Sequence, residues 1–262
     1  MHLFLVDETN RNFVANHFFI VGGLVFTEEQ LAQVDAAVRA IRLAKGYKAG
    51  DSFKFDTNTR PEQVSVDQAR EAKQAVIHFL RDAKVRLICY VVLHDLCKDQ
   101  SYDTRMDFAL NTLANAYHDL LVTESATGIM LMDRDNDRYD YLEGLFQHGL
   151  RFSGGGTKRV DDRIKLFGMT NDNASHLSSA ADIALGAFRY CVNAAGGFGK
   201  DEVAREMFPP LAEMLWGVER DGVKRVGGYG FHPRPLGVWK PAFKERYNAL
   251  EEALALYSGS EE

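Results

Sequence analysis

Cysteine is scarce in this 262-residue chain: Cys89, Cys97 and Cys191 are odd in number, show no CxxC spacing and fall within or beside apolar segments. This excludes a disulfide framework and predicts reduced thiols in a cytoplasmic protein. Long hydrophobic runs are missing too. The start MHLFLVDETN has an apolar stretch of only four residues with no basic segment before it, so neither export nor membrane anchoring is expected. Positive charge is not in excess, since the formal net charge is -6, which argues against a generally basic nucleic-acid-coating surface. A local basic groove beside an acidic metal site stays open. No HExxH or comparable spacing links His78, His94, His118, His148 and His176, and no GxSxG or GxGxxG is present. Zinc, a hydrolase triad and dinucleotide binding are therefore not expected, and internal repeats and low-complexity linkers are absent.

What is there is a globular composition, 46% hydrophobic and 26% charged, arranged in alternating β-like and helical segments. Leu3–Asp7 and Phe18–Phe26 read as a hairpin, with a bulge or a close backbone approach at Gly22-Gly23. Thr27-Glu28-Glu29-Gln30 opens a capped amphipathic helix to about residue 45, and Ser52–Phe55 reads as a short strand-like piece. A helix over 65–83, a central strand over Val85–Leu93, a helix over 104–123 and a strand over 127–133 follow. Then come a helix over 139–151, a glycine loop, a strand over 163–169 and a helix over 175–194. The pattern predicts an α/β fold, a mixed sheet flanked by helices over residues 1–195. Residues 196–262 hold five of the six prolines and several glycines, and read as an irregular helical C-terminal extension packed on the same domain.

Three acids stand at element ends or among apolar neighbours. Leu3-Phe4-Leu5-Val6 runs into Asp7, Ile129-Met130-Leu131-Met132 runs into Asp133, and Asp182 interrupts the apolar helix around Ala180–Phe188. An ionised carboxylate in such surroundings costs several kcal/mol unless it is paired, hydrogen-bonded or bound to a cation. Taken singly, Asp7 and Asp133 read as turn caps. Taken together, the three are hard oxygen ligands of the type that holds Mg²⁺ or Mn²⁺ for phosphoryl transfer.

These residues resemble a known family. Asp7-Glu8 closing the first strand, Phe19-Ile20-Val21-Gly22-Gly23 in the second, Leu131-Met132-Asp133, and Ser175 with Ala181-Asp182-Ile183-Ala184-Leu185-Gly186-Ala187 look like the bacterial family catalogued as domain of unknown function 3800. The resemblance covers roughly residues 1–195, and the order of the motifs is its stronger part. It implies a ribonuclease H-like sheet in which Asp7, Asp133 and Asp182 bind Mg²⁺ or Mn²⁺, with Glu8 as a fourth acid. It also implies a nuclease acting on nucleic acid or, alternatively, an inactive scaffold in phage defence, where members of the family are suspected to act. Lys54, between Phe53 and Phe55, matches a basic position of the family that would contact a phosphate or pair with an active-site acid; an exposed edge-strand lysine is the plainer alternative. The chain departs from the family pattern at Ser178-Ser179, where Leu-Gln is usual, and at Thr9-Asn10, where Ser-Gly is usual.

Other segments carry weaker signals. Asp133-Arg134-Asp135-Asn136-Asp137 resembles the start of a calcium loop, but Arg138 and Gly144 occupy the positions that require glycine and glutamate. Asp135 and Asp137 are read as turn residues. Arg151, Lys158, Arg159, Arg163 and Lys165 surround a glycine loop, and residues 224–234 interleave basic and aromatic side chains, so both suit a phosphate backbone or an ordinary packed loop. His176 is the histidine to consider for proton transfer.

Overall fold

Strand β1 (His2–Thr9) and strand β2 (Phe18–Thr27) form the expected antiparallel hairpin in the computed structural model, which describes residues 1–152, 154–171 and 175–259. Helices α1 (Glu28–Ala44) and α2 (Val66–Asp82) lead to β3 (Arg86–Leu93). Helix α3 (Tyr102–Thr123) leads to β4 (Gly128–Asp133), and α4 (Tyr139–His148) to a short ribbon of β5 (Leu150–Arg151) and β6 (Thr157–Lys158). Strand β7 (Ile164–Thr170) and helices α5 (His176–Ala195) and α6 (Asp201–Met214) follow. A second ribbon, β8 (Val218–Arg220) with β9 (Val223–Arg225), precedes β10 (Phe231–Arg234) and α7 (Pro241–Tyr257).

Six strands make one mixed sheet in the order β10-β3-β2-β1-β4-β7, an α/β architecture with helices on both faces. Strands β1, β2 and β3 are successively antiparallel, β4 and then β7 add parallel to β1 on its other side, and β10 adds parallel to β3. Alternation along each strand divides the core in two. Leu5, Ile20, Phe26, Leu87 and Val91 face α1, α2, α5, α6 and α7, whereas Phe4, Val6, Phe19, Val21 and Met132 face α3 and α4. Phe4, Phe19, Phe26 and Leu87 are fully buried, each worth about 1.5–3 kcal/mol relative to exposure.

The glycine pair in β2 marks a close approach, without a bulge. Gly23 pairs with Val6, and a Cβ there would lie 1.7 Å from the Leu5 carbonyl oxygen, so only glycine lets the two strands sit this close. The Ser52–Phe55 piece is irregular and joins no ladder, because side-chain anchors hold it instead. The helix expected to reach residue 151 stops at His148, where Gly149 takes φ +80° and the chain turns into the β5–β6 ribbon. Ser153, in that ribbon's loop, lies outside the described residues. Beyond residue 195 the chain supplies the sixth strand, and Phe208, Leu211, Tyr247 and Leu250 join the core beside α5.

Candidate functional site

Parallel pairing sets the site at the carboxyl ends of β1, β4 and β7, the sheet edge where ligands of open α/β sheets bind. On the β4 side the β1 ladder ends at Val6 opposite Met132, so Asp7 and Asp133 are the next residues on neighbouring strands, and Asp133 itself pairs with Thr170. Asp7 is not the last residue of its strand: β1 continues to Thr9 because β2 keeps pairing with it, Asp7 opposite Gly22. Both aspartates share a strand face with Leu5 and Leu131, the face that α5 covers. Leu5, Val6, Asp7, Asp133, Thr170, Ser178 and Ala181 line a small cleft of about 20 Å³, room for roughly one water-sized sphere.

Asp182 comes to this edge on α5. The helix starts at a capping box, Ser175 Oγ accepting from Ser178 N at 3.2 Å, so Ser178 serves both the cap and the cleft wall. Four residues after Asp182, on the same helix face, stands Gly186, where a Cβ would lie 2.4 Å from Phe55 Cβ. The missing side chain lets the 52–55 segment lie against α5, and Phe55 N donates to Asp182 Oδ2 at 2.6 Å. Lys73 of α2 pins the same segment, its Nζ donating to Phe55 O at 2.8 Å and Thr57 Oγ1 at 2.7 Å. Burial lowers the Lys73 pKa, opposed by the charges of Asp56 and Asp182. Lys54 lies in this segment between buried Phe53 and half-buried Phe55, itself half-buried.

Charge is crowded here. The Asp7 carboxyl is pushed up to about 8, first by burial, then by the charges of Glu8 and Asp182, with Asp133 adding to them. The Glu8 backbone N–H, donating to Asp7 Oδ1 at 2.8 Å, opposes the shift. The electrostatics thus place Asp7, Asp133 and Asp182 in one neighbourhood. Among the described residues, however, no three His, Cys, Asp or Glu side chains converge on one point at metal-binding distance. Alternation turns Glu8 to the opposite face, where it accepts from the Tyr102 hydroxyl at 3.1 Å and faces Arg11 at 3.8 Å.

The surrounding frame contains residues that spacing does not reveal. His94, fully buried, donates from Nε2 to the Asn10 carbonyl at 2.9 Å and accepts at Nδ1 from Arg105 at 2.9 Å, fixing the turn after β1. Buried Arg138 meets Asp103 at 2.5 Å, Asp107 at 2.9 Å and Asp135 at 3.8 Å, anchoring the loop after β4. Asp135 Oδ1 caps that loop by accepting from Asp137 N, and Asp137 is exposed, as turn residues are. His176 Nδ1 accepts from Arg42 Nη1 at 3.1 Å; six residues at about 100° each turn it about 120° away from Asp182 around the helix. Ser179 is buried and makes no side-chain hydrogen bond among the described residues.

The two basic segments behave largely as packed loops. Lys158 binds Asp119 at 2.6 Å, Arg159 binds Asp161 at 2.8 Å and Arg163 faces Asp162 at 3.9 Å, so these cations are partnered. In the later segment Tyr229 stacks edge-on against Trp216 and His232 is buried. No helix of the described residues is long and apolar enough to cross a membrane. Neither a scan of protein-family models nor a search of curated proteins found a match to this chain.

Proposed function

We propose that this chain is a ribonuclease H-like member of the domain of unknown function 3800 family and a metal-dependent nuclease that hydrolyses phosphodiester bonds in nucleic acid. The observation that carries the reading is the raised carboxyl of half-buried Asp7, near the charges of Glu8, Asp182 and Asp133. Carboxylates from three separate elements brought close enough to raise the pKa of one of them are a setting suited to a divalent cation. The sheet supports the same reading: three antiparallel strands, then two parallel ones placing Asp133 beside Asp7.

The donor set fits Mg²⁺ or Mn²⁺, because Asp7, Asp133 and Asp182 offer hard oxygens with Thr170 and Ser178 hydroxyls beside them and no thiolate or imidazole in the cleft wall. When bound, such an ion supplies an activated water and neutralises charge developing on the phosphate. The chain's own residues prepare for it. The Phe55 N–H orients the Asp182 carboxylate, and the Glu8 N–H orients that of Asp7. This reading assigns Lys54, in the half-buried 52–55 segment, to a phosphate or an acid of the site. The test is nuclease activity of the purified protein with Mn²⁺ against Asp7→Asn and Asp182→Asn. Both variants are expected to lose it, and activity indifferent to both substitutions refutes the assignment.

A second reading, an inactive scaffold that binds nucleic acid or protein, draws on the lack of three acids converging on one point among the described residues. Calorimetry with Mn²⁺ separates the two: the nuclease reading requires binding that Asp7→Asn abolishes, and the scaffold reading requires none.

A further inference from the structure

Strands β1, β3, β4, β7 and β10 all run the same way, so the chain leaves β10 at the edge that carries the acids. Phe231 of β10 stands level with Cys89, Gly22 and Asp7 across the sheet, three strand spacings of about 4.8 Å from β1 or about 14 Å. Beyond it, Leu236 is 86% exposed and Trp239 95% exposed, and the β1–β2 turn presents Phe13 at 50%. Arg246 of α7 ties the two segments together, donating to Asn16 Oδ1 at 3.1 Å. We propose that this ledge binds single-stranded nucleic acid, with bases stacking on Trp239 and Phe13 and phosphates meeting the cations around them. Delivery of the strand to Asp7 and Asp133 rests on the nuclease reading, whereas its binding does not.

Charge indicates what covers these rings. Residues 10–17 and 234–248 hold five cations, Arg11, Arg234, Lys240, Lys244 and Arg246, against Glu245 alone. Glu8 faces Arg11 at 3.8 Å and Asp95 accepts from Asn16 N at 2.6 Å; with both counted, a surplus of +2 remains in a chain whose formal net charge is -6. Lys98 and Asp99, the next charges after Asp95, cancel. Helix ends do not remove the surplus, because α7 starts here at Pro241 and its N-terminus adds about +0.5. Arg234, Lys240, Lys244 and Arg246 form no ion pair among the described residues. Burial lowers the pKa of half-buried Arg234, and the charge opposing that shift is the Tyr90 phenol, not a carboxylate. The Lys240 ammonium lies 4.6 Å from the centre of the Phe243 ring, so an aromatic face and not an acid holds it. Exposed rings alternating with unpaired cations match a chain that has an anionic backbone and free base faces. A duplex keeps its base faces stacked on one another and offers these rings nothing.

The experiment is fluorescence titration of the full chain in chelator with oligo(dT), oligo(U) and a mixed-sequence DNA duplex. Of the two tryptophans, Trp216 is 5% exposed and Trp239 95%, so a stacking base quenches Trp239 and leaves Trp216 as a constant background. Quenching is expected with a single strand and not with the duplex. Followed by anisotropy of a labelled strand, Trp239→Ala should weaken binding about tenfold and Trp239→Phe should restore it. Neither should move the melting temperature, because so exposed a side chain carries little packing. Lys240→Gln should lower the slope of log affinity against log salt by about 0.7, the contribution of one phosphate contact on a single strand. Asp7→Asn should not weaken binding in chelator. Single-strand binding without cleavage in Mn²⁺ supports the ledge and refutes the nuclease reading; cleavage undiminished in Trp239→Ala does the reverse. Absence of quenching, a duplex bound as tightly as a single strand, or affinity unmoved by Trp239→Ala overturns the proposal. So does self-association, or binding to anionic vesicles, that Trp239→Ala abolishes while no oligonucleotide binds.

Discussion

Asp7→Asn should stabilise the metal-free protein at pH 8 while removing its response to metal. The folded-state carboxyl titrates near 8 and its ordinary value is 3.8. Between those values the folded chain keeps a proton that the unfolded chain has lost, so stability falls as pH rises and levels off only above about 8. Below 3.8 both states are protonated and the full stability is present. A gap of about 4 pH units at about 1.4 kcal/mol each comes to about 6 kcal/mol, and relaxation of the neighbouring carboxylates brings the expected loss to about 3–6 kcal/mol. Asparagine keeps an oxygen for the Glu8 N–H but carries no charge to desolvate. Thermal melts from pH 5 to 9 in chelator should show a falling wild-type curve and a flatter variant curve, separated at pH 8 by about 6–12 °C. With Mn²⁺ the wild type alone should rise. A variant no more stable than the wild type at pH 8, or one with the same slope, refutes the placement of Asp7 as a desolvated acid among acids.

Three further outcomes follow from the frame around the site. Gly186→Ala brings a methyl to 2.4 Å from Phe55, and at about 1–3 kcal/mol it should lower the melting temperature and weaken Mn²⁺ binding by displacing the N–H that holds Asp182. Arg138→Met leaves Asp103, Asp107 and Asp135 without their shared cation, and denaturant unfolding should show a loss of about 3 kcal/mol, since the exposed Asp103 can turn to water. His232 is depressed to about 4 by burial and by Arg234, and its Nε2–H donates to the Tyr229 carbonyl at 2.6 Å. Its contribution is complete above about 6.5 and is lost as pH falls toward 4, about 3 kcal/mol in all; His232→Gln should flatten that acid limb in pH-dependent melts, whereas an unchanged limb removes His232 as its source.

Much of the site frame is local and therefore legible in the sequence. The four apolar residues before Asp7, the parallel pattern before Asp133 and the apolar helix around Asp182 depend on periodicities of two and about 3.6 residues, which neighbouring residues carry by themselves. The capping box at Thr27–Gln30 is likewise local, and it forms as read. Even the turning of Glu8 away from Asp7 is implicit in strand alternation. Lys73 gave a faint signal, a single charge inside the inward stripe of Ala69, Ala72 and Val76. Nothing local marks its partners Phe55 and Thr57.

What only the tertiary structure decided is adjacency. That β4 lies beside β1 and not beside β3, which precedes it, brings Asp133 next to Asp7 and Thr170 next to Asp133. That β10, after a ribbon and several glycines, returns to pair with β3 carries Trp239 to the edge that holds the acids. Strand order is chosen by how two core faces are covered by helices from distant parts of the chain, a burial free energy summed over the whole molecule. The sequence by itself therefore determined which acids stand on strands and helices. The fold determined which of them share a low-dielectric edge, because only packing brings Asp133 and Asp182 close enough to raise the pKa of Asp7.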